Sequence, residues 1–123
     1  MDLQKITFNK KEPMYPQLSM HIKKQMLSGD IVHYEELPSR RELALKLSIN
    51  PNTVQKAYKQ LEEEGIIQTI SNVKSVAIIT EDTLTHLKDE MVKSMMKTFV
   101  HECQTSGLDF QQTISWITKL WNE

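Results

Sequence analysis

One cysteine, Cys103, is present, so no internal disulfide can form, and packing and hydrogen bonds must hold the fold. That economy suits a reducing compartment, and a cytoplasmic protein is expected. Only three glycines occur in 123 residues, too few for most of the loops that cradle nucleotide phosphates. Aromatic residues are sparse at 7%. No apolar run is long enough to span a bilayer, and the segment from Met1 to Lys11 lacks the apolar stretch of a secretory signal. No paired carboxylates, nucleophile–base pair or metal-ligand cluster stands out. Cys103 and His101 are two apart, so on a helix they face different ways, and His21, His33 and His86 show no ligand spacing. Neither an enzyme, a metal nor a cofactor is expected.

What is present is an ordinary globular composition, 39% hydrophobic and 25% charged, with a net charge of −1. The charge is unevenly spread. Residues 1–79 hold eleven Lys/Arg against nine Asp/Glu, whereas residues 80–123 hold four against seven. A mildly basic head and an acidic tail are compatible with nucleic-acid contact by the head alone.

Local signals divide the chain further. Residues 1–15 form an arm in which Leu3, Ile6 and Phe8 suggest an edge strand. A first helix is expected from Pro16 to Gly29, with Leu18, Ile22, Met26 and Leu27 on its apolar stripe. A second begins at Ser39, where Ser39 and Glu42 have capping-box spacing, and buries Leu43, Ala44 and Leu47. The third has Asn50 as cap, Pro51 at its first position and Gly65 past its end. One of its faces is Val54, Ala57, Tyr58 and Leu61; the other is Asn52, Gln55, Lys56 and Lys59. Only Ser48 and Ile49 separate the second helix from that cap, which forces a steep helix–helix crossing. Ile66–Ile70 and Val76–Ile79 then read as strands around a turn at Ser71-Asn72-Val73-Lys74. Glu62, Glu63 and Glu64 read as a solvated face directed away from any phosphate. The fold class expected is mostly α with a small β-hairpin: a winged helix-turn-helix head over residues 1–79 and a two-helix C-terminal dimerisation tail over 80–123.

Several blocks carry a resemblance. Pro13-Met14-Tyr15-Pro16-Gln17-Leu18, Leu37-Pro38-Ser39-Arg40-Arg41-Glu42-Leu43-Ala44, Asn50-Pro51-Asn52-Thr53-Val54-Gln55-Lys56-Ala57-Tyr58 and Leu61-Glu62-Glu63-Glu64-Gly65-Ile66 follow one another in an order and spacing similar to those of the GntR family of bacterial transcription regulators. The Asn-Pro-Asn-Thr-Val wording and the short tail resemble its YtrA-like subfamily. The resemblance implies a two-helix dimerisation tail in place of a large effector domain, and control of transporter operons. It also implies that Arg41 lies at the DNA surface. Two features depart from the family pattern: the loop Val32-His33-Tyr34-Glu35-Glu36 and the wing turn both lack glycine.

The chemistry of double-stranded DNA assigns roles to these side chains. Asn50, Asn52 and Gln55, near the start of the third helix, have the paired donor and acceptor that adenine requires. Thr53 suits phosphate or a thymine methyl, and Pro51 the sugar–phosphate edge. Ser39, Arg40, Arg41, Lys56 and Lys59 belong to the phosphate-facing set, which positions the head and makes binding salt-dependent. Asn72 and Lys74 would present the wing tip.

In the tail, Thr80 caps a long helix to about Ser106, and Asp109 with Gln112 starts another. Leu84, Leu87, Met91, Met95 and Phe99 recur at spacings of three and four, a coiled-coil-like seam, and Ile114, Ile117 and Trp121 line the second helix. This apolar surface suits a homodimer; the alternative is folding back on the head. Met91, Met95 and Met96 fit core packing, with a malleable site for an unidentified apolar effector as the other reading. The function expected is sequence-specific regulation, as a repressor at an inverted-repeat operator. The alternatives are an effector-responsive activator and a winged-helix protein-interaction adaptor.

Overall fold

The computed structural model describes residues 1–2, 6–71 and 74–123. Its elements are α1 (Met14–Ser28), α2 (Arg40–Leu47), α3 (Pro51–Glu63), β1 (Ile67–Ser71), β2 (Lys74–Ala77), α4 (Glu81–Thr105) and α5 (Phe110–Leu120). The chain divides into two compact units, Met1–Leu87 and Lys88–Glu123.

The first unit is a three-helix head with a hairpin. α1 and α2 both pack on α3, burying Leu18, Ile22, Met26, Leu43, Ala44, Val54, Ala57, Tyr58 and Leu61. α1 starts at Met14, two residues before the expected Pro16. Pro16 is tolerated as the third helical residue because the first four amides of a helix have no intrahelical partner. Gln17 helps to hold this start, its Nε2 donating to the Pro13 carbonyl at 3.1 Å. Among the described residues of the arm there is no strand. Backbone and side-chain bonds hold it to α1 instead, with the Asp2 amide donating to Gln25 Oε1 at 2.8 Å.

α2 begins as the sequence indicates, the Glu42 amide donating to the Ser39 hydroxyl at 3.1 Å. The reciprocal half of the box does not form among the described residues; the Glu42 carboxylate lies 3.9 Å from Lys46 Nζ. α3 is capped by the Asn50 side chain, which accepts from the Asn52 amide at 2.8 Å. It ends in a turn in which Gly65, at φ 75°, lets the Ile66 amide return to the Leu61 carbonyl at 2.9 Å. That bond takes the Ile66 amide out of the ladder, so β1 starts at Ile67.

β1 and β2 pair antiparallel, Ile67 opposite Ala77 and Thr69 opposite Ser75, with an irregularity between Thr69 and Ser71. The loop before α2 adds a third edge: Glu36 bridges Val76, and the Leu37 amide donates to the Ser75 carbonyl at 2.9 Å. At its outer end the Ile79 amide donates to His33 Nδ1 at 2.9 Å, a role no local sequence signal assigns to His33.

α4 opens with the Thr83 amide on the Thr80 hydroxyl at 3.2 Å. Its Leu87, expected on a dimer seam, is 1% exposed and belongs to the core of the head. A face that repeats at three and four fits a core as well as a seam, and here the nearest core takes it. In the second unit α5 has a full capping box between Asp109 and Gln112. Among the described residues, no helix is long and apolar enough to cross a membrane.

Candidate nucleic-acid interface

α3 separates its two faces cleanly. Val54, Ala57, Tyr58 and Leu61 are buried, whereas Asn52, Gln55, Lys56 and Lys59 are exposed, with Pro51 exposed at the first position and Thr53 half-buried. The separation follows from helical geometry: residues three and four apart share a face, and apolar and polar residues alternate at that period. Burial of the apolar row fixes which side of α3 meets solvent. The polar row is thus displayed on a rigid element supported from behind.

The start of α2 lies beside the C-terminal half of α3. The Tyr58 hydroxyl donates to the Pro38 carbonyl at 2.6 Å, and Arg40 Nη2 donates to Glu62 Oε1 at 3.1 Å. Burial is the largest influence on the Tyr58 phenol and raises its pKa well above the ordinary 10; the nearby Arg40 charge lowers it and Glu42 raises it, both by less. It stays protonated and keeps donating at any pH of interest. Arg41, one residue on, is exposed and makes no ion pair with a described residue. The two adjacent arginines therefore have different surroundings. Arg41 is open to solvent, while Arg40, expected to face phosphate, turns onto α3 because a carboxylate and an aromatic face await it there.

Two of the three C-terminal glutamates also depart from the solvated face read from sequence. Glu62 is engaged by Arg40, and Glu64 lies 2.9 Å from Lys23 Nζ of α1, whose side chain is 3% exposed. Only Glu63 is fully on the surface. Ion pairs spanning 22 and 41 residues leave no trace in local patterning.

Asn50 Oδ1 is engaged by its capping bond, and Ser39 is exposed at the α2 cap. Lys74 lies 3.6 Å from Glu36 with both side chains about half exposed, a screened pair easily exchanged for another anion. Asn72 lies outside the described residues. Sequence reasoning gave Tyr15 no role. Its ring centroid lies 5.8 Å from Lys56 Nζ, within cation–π range, and Tyr15, Lys56, Lys59, Gln60 and Glu63 line a shallow groove beside the polar row. Five residues sharing a groove across α1 and α3 are recognisable only once the helices are packed.

Comparison with known proteins gives this geometry a context. The family model described as bacterial regulatory proteins, gntR family, matches residues 14–75. Over 109 residues the chain is 35% identical to the HTH-type transcriptional repressor YtrA of Bacillus subtilis (strain 168), covering 88% of this chain and 84% of that one. A GntR family transcriptional regulator from Listeria monocytogenes superimposes with a TM-score of 0.76 at 30% identity, over 92% of this chain and 99% of the other. YtrA from Sulfolobus acidocaldarius, a GntR-family transcription factor, gives a TM-score of 0.54 at 25% identity, with 96% of each chain covered.

Proposed function

The chain belongs to the GntR family of bacterial regulatory proteins, and from that premise we propose that it is a repressor which binds an inverted-repeat operator as a homodimer. Residues 1–79 form the DNA-binding head in this reading and 80–123 the dimerisation tail, whose first turns, up to Leu87, pack into the core of the head. The observation that carries it is the two-faced α3: a buried apolar row behind an exposed row of Asn52, Gln55, Lys56 and Lys59. Amides near the helix start read base edges, while Lys56, Lys59 and Arg41 neutralise phosphate. Nothing in this reading calls for catalysis, and the protein is not an enzyme. The Bacillus relative is named a repressor, which supports that sign of regulation; a transporter operon is the target proposed.

The dimer is supported by the tail. Met95, Met96, Val100, Ile114, Trp116, Leu120 and Trp121 are exposed, more apolar surface than a short helical unit keeps in water without a partner. Met91, Phe99 and Ile117 are half-buried beside them. A twin covers this surface and supplies the second head, so that two weak half-site contacts add on one duplex.

The test is a mobility-shift titration with DNA upstream of the protein's own gene and with unrelated duplex. Asn52→Ala should lower operator affinity by about 1–3 kcal/mol and leave unrelated DNA unaffected. Lys59→Ala should weaken both and flatten the salt dependence by about one phosphate's worth. Equal behaviour of the two variants overturns the division of roles, and no binding to any duplex at low ionic strength overturns the function.

A further inference from the structure

Three polar side chains from three elements meet on one side of the head. Arg40 opens α2, Glu62 lies in the last turn of α3 and Thr69 is on β1. Arg40 Nη2 donates to Glu62 Oε1 at 3.1 Å, and the Thr69 hydroxyl donates to the same oxygen. The Arg40 guanidinium carbon lies 5.3 Å from the centroid of the Tyr58 ring. Thr69 Oγ1 is in turn 3.5 Å from Ser75 Oγ on β2, so the contacts run from the start of the helix-turn-helix to both strands of the wing.

The arrangement works against the local preferences of both helices. Arg40 places a positive charge on the positive pole of α2, and Glu62 a negative charge on the negative pole of α3. Each charge is misplaced on its own helix and is balanced by the opposite charge on the other. The side chains are 27% and 32% exposed, and Arg40 Nε is buried with no hydrogen-bond partner. A guanidinium reaching for phosphate would instead present its donors to solvent.

We propose that Arg40, Glu62 and Thr69 form a latch that fixes the wing against α3, and that Arg40 is a positioning residue for DNA recognition and not a phosphate ligand. An isolated two-stranded hairpin is marginal in water. The β2 side of this one is held by the Glu36–Val76 bridge, and the latch holds the β1 side. With both sides held, Lys74 and the polar row of α3 are pre-set for one duplex, and less orientational freedom is lost on binding. The inference rests on the DNA-binding reading above.

Charge alone and the latch predict opposite signs. Removing the Glu62 carboxylate makes the head more positive, so charge alone has Glu62→Gln tighten DNA binding. The latch has Arg40→Gln, Glu62→Gln and Thr69→Val each weaken operator binding about tenfold, or 1.4 kcal/mol. The double variant Arg40→Gln/Glu62→Gln should then lose no more than either single one. Arg41→Gln, as the phosphate control, should add to any of them and flatten the salt slope by about one. Tightening by Glu62→Gln, or simple additivity of the Arg40 and Glu62 variants, overturns the latch. Amide hydrogen exchange on the free protein is the second measurement: the latch variants should exchange faster from Ile67 to Ala77 while α1 and α3 keep their protection. If the two charge variants loosen the helices as well, Thr69→Val decides, since it leaves both charges in place. Unchanged exchange in the wing overturns the latch whatever happens to affinity. If wild-type protein ignores duplex DNA, the DNA-binding reading fails while exchange still decides the latch.

Discussion

At the scale of single residues, the side chains least legible in the sequence are those with a partner far along the chain. Tyr58 is recognisable as core from its place among Val54, Ala57 and Leu61, yet the bond from its hydroxyl to the Pro38 carbonyl, 20 residues away, is visible only in the fold. Tyr58→Phe keeps the ring and orphans that carbonyl. It should cost about 1 kcal/mol at neutral pH, lowering the melting temperature by roughly 4–8 °C for a head of this size. The pH dependence has a definite sign. Burial raises the folded-state pKa above the ordinary value of 10, so the stability this phenol contributes is complete below pH 10 and is lost as pH rises beyond it. Thermal melts between pH 7 and 11 should show the wild type losing its lead over Tyr58→Phe in the alkaline range. A constant gap at all pH values would place the hydroxyl in water. Arg40 and Arg41 teach the same lesson: neighbours with identical side chains part company because Glu62 and the Tyr58 ring receive one and solvent receives the other.

At the scale of elements, helix starts were written plainly. Ser39, Asn50 and Asp109 each accept the amide expected of a cap, because a cap is a contact between residues two or three apart and needs no knowledge of the fold. Asn50→Ala should destabilise the head by about 1 kcal/mol, and chemical denaturation can separate that loss from any change in DNA affinity. Asp109→Ala removes one half of the box on an 11-residue helix, a length at which an unsupported helix is barely stable. Amide exchange over Phe110–Thr113 should accelerate, and if it does not, tertiary packing rather than the box holds that start. The elements misread were those whose form depends on neighbours. Leu3, Ile6 and Phe8 suggest a strand in the arm; Leu3 lies outside the described residues, and among those described no strand forms, Asp2 bonding the side chain of Gln25 and Asn9 that of Gln17 instead. The hairpin was readable from its β-branched residues, whereas its third edge at Glu36 was not, since one bridging residue has no pattern.

For the molecule as a whole, the architecture was legible because each helix has one apolar stripe and the connections are short. What those stripes face was less so: Leu87 belongs to the head, while Trp121 at the other end of the tail is 80% exposed. Sedimentation should show a dimer at micromolar concentration. Replacing Trp116 and Trp121 together with serine should yield monomers whose heads remain folded and whose operator affinity falls steeply. Persistence of the dimer would move the interface elsewhere. One pair within the head bears on how the protein is released from its site. Dissolved ions screen exposed charges that lie more than about 10 Å apart at 0.1 M, and buried pairs much less. Lys23 and Glu64 meet at 2.9 Å with the lysine all but sealed from solvent, whereas Arg41 and Lys59 stand open. Brine strong enough to strip the duplex from the surface therefore leaves this internal tie intact, and the protein comes away whole, able to rebind on dilution.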